Sequence, residues 1–192
     1  MKTGTYILTI GERPERRRAA EAQVESIGIR DAITYIALKE ENAAWSNFQS
    51  HRNIVTDAVK RDFARVMICE DDVVFREPFH TPFQQSVDDL PPDWEMLLLG
   101  CRLNEPPEAF SPNLYRVNNH TMMHAYVLSR AGMKTFLDHA ARLDKIGHCH
   151  SWDAWLGAQP MNRYLTRPIL AIQADGFSDI QQRAGKYLGE PF

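Results

Sequence analysis

Short apolar runs along this chain alternate with longer stretches whose apolar positions fall three and four residues apart, the pattern of strands interleaved with amphipathic helices. Tyr6 to Ile10 is the first apolar run and reads as a strand, closed by Gly11. Pro14 suits the first turn of a helix, which is expected to run to Ile27. Ala20, Val24 and Ile27 give that helix one apolar stripe, and Gly28 is its stop. Ala32 to Ala37 is expected as a second strand, followed by a polar stretch from Lys39 to Asn42. A second helix is expected from Ala44 to Lys60, with Trp45, Phe48, Val55 and Val59 near helical spacing. Arg65 then leads into Val66-Met67-Ile68-Cys69, an apolar run that reads as a buried strand.

The later chain is more broken. Pro78, Pro82, Pro91 and Pro92 divide the next segment into a short helix and turns. Trp94 to Leu99 reads as a strand buried on both faces and ending at Gly100. From Asn104 to Pro112, prolines and polar residues predict a surface loop, the segment expected to be most mobile. Ala125 to Leu128 is a further strand, and Ser129 is a good N-cap for a helix carrying Met133, Phe136 and Leu137. A shorter helix is expected after Asp153, and Pro168 to Gln173 reads as a late strand. Strands alternating with helices predict an α/β domain with a mostly parallel sheet.

The chain has 192 residues, which fits one domain over positions 1–192 with enough apolar content for a core. Its net charge of −3 carries no nucleic-acid footprint, and no stretch approaches the roughly 20 apolar residues of a membrane span. No apolar segment follows a basic start at the N-terminus, so the chain is expected to be soluble and unsecreted. The cysteines Cys69, Cys101 and Cys149 are odd in number and widely spaced, the usage of reduced thiols and of a cytoplasmic compartment.

The strand that begins at Arg65 ends in three consecutive acids, Glu70, Asp71 and Asp72. In α/β proteins ligand chemistry collects at the carboxyl ends of strands. Three carboxylates there repel one another unless a cation sits between them. Hard divalent ions bind one or two carboxylates together with substrate phosphates, so the triplet points to a metal and phosphate site. A solvated acidic turn is the competing reading. If the segment stays extended, Glu70 and Asp72 face one way and Asp71 the other.

Taken together, these residues resemble glycosyltransferase family 25, the lipopolysaccharide-biosynthesis and collagen-type galactosyl- and glucosyltransferases. Tyr6 to Ile10 with Arg13-Pro14-Glu15-Arg16 is similar to the family's opening strand and arginine-containing turn. Ser50-His51 resembles its serine-histidine pair, and Glu70-Asp71-Asp72 its form of the DxD element. Trp94 to Gly100, Thr121 to Gly132, the isolated Asp153, and Pro168, Gln173, Ser178 and Ile180 resemble later segments in the same order. The chain departs from the family at Ser46-Asn47, where Gly-Cys is usual.

The resemblance implies a GT-A-like nucleotide-binding α/β/α sandwich. It also implies a nucleotide-sugar donor, a UDP-hexose such as UDP-galactose or UDP-glucose, held with manganese or magnesium. A metal held by carboxylates stabilises the departing diphosphate as a Lewis acid. On this reading Asp72 is the main metal ligand, and Glu70 assists at the metal or the ribose. Asp71 serves structure or the ribose. Ile10, Arg13 and Arg16 fall at the nucleotide, where guanidinium groups suit a diphosphate, while Arg17 and Arg18 are expected on a solvated face. Ser50 and His51 either approach the nucleotide or brace the acid-bearing strand. Gln173 and Ser178 are placed near donor or metal by resemblance alone.

An inverting transfer needs a base for the acceptor hydroxyl, and Asp153 is the candidate. The alternative for Asp153 is an N-cap of a helix from Ala154 to Gln159, with Ser151 the other possible cap. His148, Cys149 and His150 have poor spacing for zinc and read as a loop with incidental histidines. The expected partners are a nucleotide sugar and a saccharide or glycan acceptor, with peripheral membrane contact through a lipid-linked acceptor and no nucleic acid. A metal-dependent phosphohydrolase acting on a nucleotide or phosphosugar, and a nucleotide-sugar-binding member without turnover, are the rival readings.

Overall fold

The computed structural model describes residues 2–37, 40–178 and 183–185, with 176–178 and 183–185 described by backbone alone. The first half follows the expected pattern closely. Strand β1 (Thr3–Ile10) leads to helix α1 (Pro14–Ser26), with Pro14 in its first turn and Gly28, at φ +78°, just beyond it. Strand β2 (Ile33–Ala37) and helix α2 (Ala43–Lys60) follow, and the Asn42 side chain caps α2 by accepting from the Trp45 N–H at 3.0 Å. Strands β3 (Arg65–Glu70) and β4 (Val73–Phe75), then helix α3 (His80–Asp88), lead to strand β5 (Met96–Leu103).

The second half differs more from expectation. Asn104 to Pro112 is not a loop throughout: strands β6 (Glu108–Ser111) and β7 (Leu114–Arg116) form a hairpin turning at Pro112 and Asn113. Asp89 anchors the turn by accepting from the Ser111 hydroxyl at 2.6 Å and the Asn113 amide at 3.0 Å, and Phe110 packs on Tyr164. Strand β8 (His120–Ser129) begins five residues before the expected Ala125, and helix α4 (Arg130–Ile146) is capped by the Ser129 hydroxyl, as its sequence predicts. Helix α5 (Trp152–Gly157) starts before Asp153, so Ser151 rather than Asp153 holds the N-cap position.

Strand β9 (Arg163–Thr166) had no apolar signature, because Arg163 and Thr166 are buried at its ends. The two terminal nitrogens of the Arg163 guanidinium donate to the backbone carbonyls of Asn118, Leu156 and Gly157, while its buried Nε has no partner. The late strand is shorter than expected: β10 (Ala171–Gln173) leaves Pro168 outside and pairs with β4 in a separate two-stranded sheet. Strands β11 (Gly176–Ser178) and β12 (Arg183–Gly185) pair with each other. Lys39 and Ile180, both used in the sequence reading, lie outside the described residues, as does the Ser178 side chain.

Eight strands form the main sheet in the order β2-β1-β3-β8-β5-β9-β7-β6. Following the pairings outward, β2, β1, β3, β5, β9 and β6 run one way, and β8 and β7 run the other. The sheet is therefore mostly parallel in strand direction, with reversals at β8 and at the outer hairpin. Two apolar layers cover it. Tyr6, Leu8, Ile68, Leu98 and Tyr126 pack against α2, α4 and α5 through Phe48, Ile54, Phe136 and Trp152. Ile7, Met67, Leu97 and Val127 face α1 and α3 through Ala20, Val24, Phe79 and Phe83. The result is the expected α/β/α sandwich around a mostly parallel sheet.

This topology decides where a ligand belongs. From β1 the chain crosses one face through α1 to reach β2, then crosses the opposite face through α2 to reach β3 on the other side of β1. The carboxyl ends of β1 and β3 therefore diverge at a topological switch point, the usual crevice of open α/β sheets.

Candidate nucleotide and metal site

A cavity of about 400 Å³ opens at this switch point, within the roughly 300–1,000 Å³ range of small-molecule sites. Its walls come from several elements that meet there. Ile10 closes β1, Arg13 and Arg16 enter from the start of α1, and Asn47 enters from the first turns of α2. Glu70, Asp71 and Asp72 follow β3. Because β8 runs against β3, its early residues Met122 and Met123 reach the same end, where His150, Ser151 and Asp153 join them around the start of α5. Gln173 closes the far side from β10.

The acids do not alternate as an extended strand requires. β3 ends at Glu70, and the chain turns through Asp71 and Asp72 before β4. The turn directs Asp71 and Asp72 onto one cation, the Arg16 guanidinium, at 2.7 Å each. Asp71 also accepts from the Thr9 hydroxyl at 2.8 Å. Burial nevertheless pushes the Asp71 carboxyl above its ordinary range, against the opposing pull of Arg16 and Thr9. Asp72 Oδ2 accepts both Arg16 and the Gln173 amide, the latter at 2.8 Å, and the Asp72 carbonyl receives the Ala174 N–H. Asp72 Oδ1 is buried and has no hydrogen-bond partner.

Glu70 stands apart from this cluster. A quarter of its side-chain surface remains open, yet burial and the charges of Asp72 and Asp153 push its carboxyl up to about 8. Asn47 and His51 both contact Glu70 Oε1, at 3.4 and 3.2 Å. His51 is fully buried, and its other ring nitrogen meets the Tyr126 hydroxyl at 2.8 Å. Its ring packs between Tyr126 and Trp152, and burial holds its pKa down near 3. Of the two roles weighed for His51, the geometry is that of a brace behind Glu70. Ser50 is likewise buried behind the cavity, with its hydroxyl on the Ser46 carbonyl at 2.8 Å.

Asp153 lines the cavity and accepts the Met122 N–H on Oδ2 at 2.7 Å, while the Ser151 hydroxyl donates to Oδ1. Among the described residues Met122 is one of two non-glycine residues with positive φ, at 60°, so Asp153 holds an unusual backbone conformation near the start of β8. His150 reaches the cavity, whereas Cys149 is buried with its thiol toward the Ala44 carbonyl.

Thr9, Asn47, Met122 and Ser151 were not singled out from sequence as site residues. Asn47 alone carried a usable signal, since it precedes His51 by four residues and shares its helix face.

Among the described residues no three His, Cys, Asp or Glu side chains converge as a ready-made metal cage. A magnesium-type ion does not need one, because it takes one or two carboxylates and completes its shell with phosphate and water. The orphaned Asp72 Oδ1 beside Glu70 fits that requirement.

No protein-family model matches the chain. Over 97 residues it is 31% identical to a mouse protein named inactive glycosyltransferase 25 family member 3, a match spanning 47% of this chain and 16% of that protein. In fold it is similar to A197 from STIV, with a TM-score of 0.56 at 13% identity over 96% of this chain and 93% of that one. A glycosyltransferase involved in glycosylation of the major capsid of PBCV-1 gives a TM-score of 0.49 at 11% identity, over 73% of this chain and 66% of that one.

Proposed function

We propose that this chain transfers a hexose from a nucleotide sugar, UDP-galactose or UDP-glucose, to a hydroxyl of a saccharide or glycan, with inversion at the sugar carbon. The observation that carries this reading is the gathering of Arg13, Arg16, Glu70, Asp71 and Asp72 in one switch-point cavity, with Asp72 Oδ1 buried and unpartnered. The similarity to a glycosyltransferase 25 family member supports the same class.

Arg13 and Arg16 bind the diphosphate through planar, charge-assisted hydrogen bonds. Asp72 and Glu70 hold the divalent ion, manganese or magnesium, which when bound neutralises charge on the departing nucleoside diphosphate. Asp153 takes the proton of the acceptor hydroxyl as its oxygen bonds to the anomeric carbon, and the sugar–phosphate bond breaks with its electron pair leaving on the diphosphate. The Met122 N–H and Ser151 hydroxyl hold the Asp153 carboxylate in place for this step.

Among the described residues no helix is long and apolar enough to cross a membrane. A cytoplasmic protein meeting a lipid-linked acceptor at the membrane surface fits this reading. Its test is release of uridine diphosphate from each UDP-hexose, with manganese, across a panel of saccharide acceptors. Acceptor-dependent release supports transfer. Rapid release of phosphate or nucleoside monophosphate without acceptor replaces it with phosphohydrolysis.

A second reading, donor binding without turnover, draws on the engagement of both Asp153 oxygens by neighbouring donors. Metal-dependent donor binding with no product on any acceptor is its signature.

A further inference from the structure

We propose that Arg16 is an internal counter-cation that occupies the acid site until a diphosphate draws it away, so that diphosphate binding opens Asp72 to its divalent ion. This inference rests on the proposed nucleotide and metal site and concerns how that site is loaded.

The geometry is specific to this arginine. Arg17 forms a half-exposed pair with Glu21 one turn along the same helix, and Arg52 pairs with Asp144 at the surface. Arg16 instead lies 2.7 Å from both Asp71 and Asp72, inside the cavity wall. It takes the place that the sequence reserved for a metal, the cation between the carboxylates. Its partner oxygen on Asp72 also receives Gln173, so one oxygen of that carboxylate has two donors while the other has none. The side chain keeps a quarter of its surface open, which leaves it room to turn from the acids toward the cavity.

A guanidinium and a divalent ion sharing one carboxylate repel each other strongly in a partly buried site. With Arg16 on Asp71 and Asp72, the ion meets a site whose negative charge is already partly offset. A diphosphate offers Arg16 a stronger, bidentate partner, and Arg13 stands on the same wall to assist. Once Arg16 turns to the phosphates, the charge of Asp71 and Asp72 is no longer compensated by an arginine where the ion binds. Metal and diphosphate are thereby coupled through Arg16 in addition to their direct contact, and the coupling is reciprocal.

The test is manganese binding followed by electron paramagnetic resonance, with and without uridine diphosphate, in the parent, Arg16→Gln, Arg16→Lys, and Arg16→Gln combined with Asp72→Ala. Removing the competing charge is expected to tighten manganese binding in the absence of nucleotide by about tenfold or more. The factor by which uridine diphosphate improves manganese affinity should shrink in Arg16→Gln. Arg16→Lys keeps the charge and should stay near the parent, and the Asp72→Ala combination should lose the gain.

Manganese affinity in Arg16→Gln equal to or weaker than the parent's, with nucleotide-dependent binding intact, overturns the inference and leaves the proposed site standing. A gain that survives Asp72→Ala also overturns it, because the ion is then elsewhere. No manganese binding by any protein, with or without nucleotide, removes the metal site and this inference together.

Discussion

Replacing His51 with phenylalanine separates two descriptions of the contact behind Glu70. At 3.2 Å the two side chains have ion-pair geometry, but His51 is fully buried and its pKa is held near 3, so the ring is neutral at ordinary pH. His51→Phe keeps a ring between Tyr126 and Trp152, removes both ring hydrogen bonds, and leaves the buried Tyr126 hydroxyl unpartnered. The expected cost at pH 8 is about 2–4 kcal/mol, mostly from that stranded hydroxyl and from fitting a larger ring.

The pH dependence follows from the sign of the shift. A histidine whose folded pKa is lowered from 6.5 to about 3 contributes its full stability above pH 6.5. Below that, the unfolded chain takes up a proton that the folded chain refuses, and stability falls by about 1.4 kcal/mol per pH unit. Between pH 6.5 and pH 5 the parent therefore loses about 2 kcal/mol through His51 that the variant does not lose. Glu70, raised to about 8, works in the opposite sense, gaining stability as pH falls. Its shift arises from burial, Asp72 and Asp153 and is common to both proteins. Urea unfolding at pH 8 and pH 5 should show the difference between parent and variant narrowing by about 2 kcal/mol. A difference that stays constant, or widens toward pH 5, would mean a protonated His51 paired with Glu70 and would refute the neutral brace.

Three further outcomes are expected. Asp153→Asn retains an oxygen to accept the Met122 N–H and should bind uridine diphosphate within about twofold of the parent while transfer falls by about a hundredfold or more, as loss of a general base predicts; unchanged turnover with full binding would exclude Asp153 as the base. Gly132→Ala gains about 1 kcal/mol of helix propensity, but its new methyl would sit 1.8 Å from the Glu95 carbonyl oxygen, so a net loss of about 2–3 kcal/mol is expected in denaturant melts, and a neutral result would refute that close approach. Arg52→Ala breaks a surface pair with Asp144 and should change stability by less than about 1 kcal/mol, with a larger loss showing that the α2–α4 contact depends on it.

The first half of the fold was legible because its signals agree. Pro14 and Gly28 bracket α1, Asn42 caps α2, and the run Val66 to Cys69 is buried throughout. Strand β9 was hidden because Arg163 and Thr166 are buried polar residues whose partners are remote backbone carbonyls, which no local pattern records. The hairpin of β6 and β7 was hidden because Pro106, Pro107 and Pro112 mark turns without showing that the residues between them pair. At the site, the acids and arginines pointed to a metal and phosphate site by residue type, the family resemblance added Asp153 and Gln173, and the fold brings Arg13, Arg16, Glu70, Asp71, Asp72, Asp153 and Gln173 to one cavity. Their geometry was not legible. The turn after Glu70 undoes strand alternation, and the cation between Asp71 and Asp72 comes from a helix more than fifty residues earlier in the chain. Sequence spacing alone cannot rank that arginine above its neighbours Arg17 and Arg18.

The most direct test of the nucleotide-sugar site is calorimetric titration of the purified protein with uridine diphosphate and its hexose conjugates, with manganese and with chelator, repeated on Asp72→Ala. The proposed function predicts binding that requires manganese and disappears in the variant. Binding that is unchanged by chelator and by Asp72→Ala would contradict the metal assignment, and no binding of any uridine nucleotide would contradict the site itself.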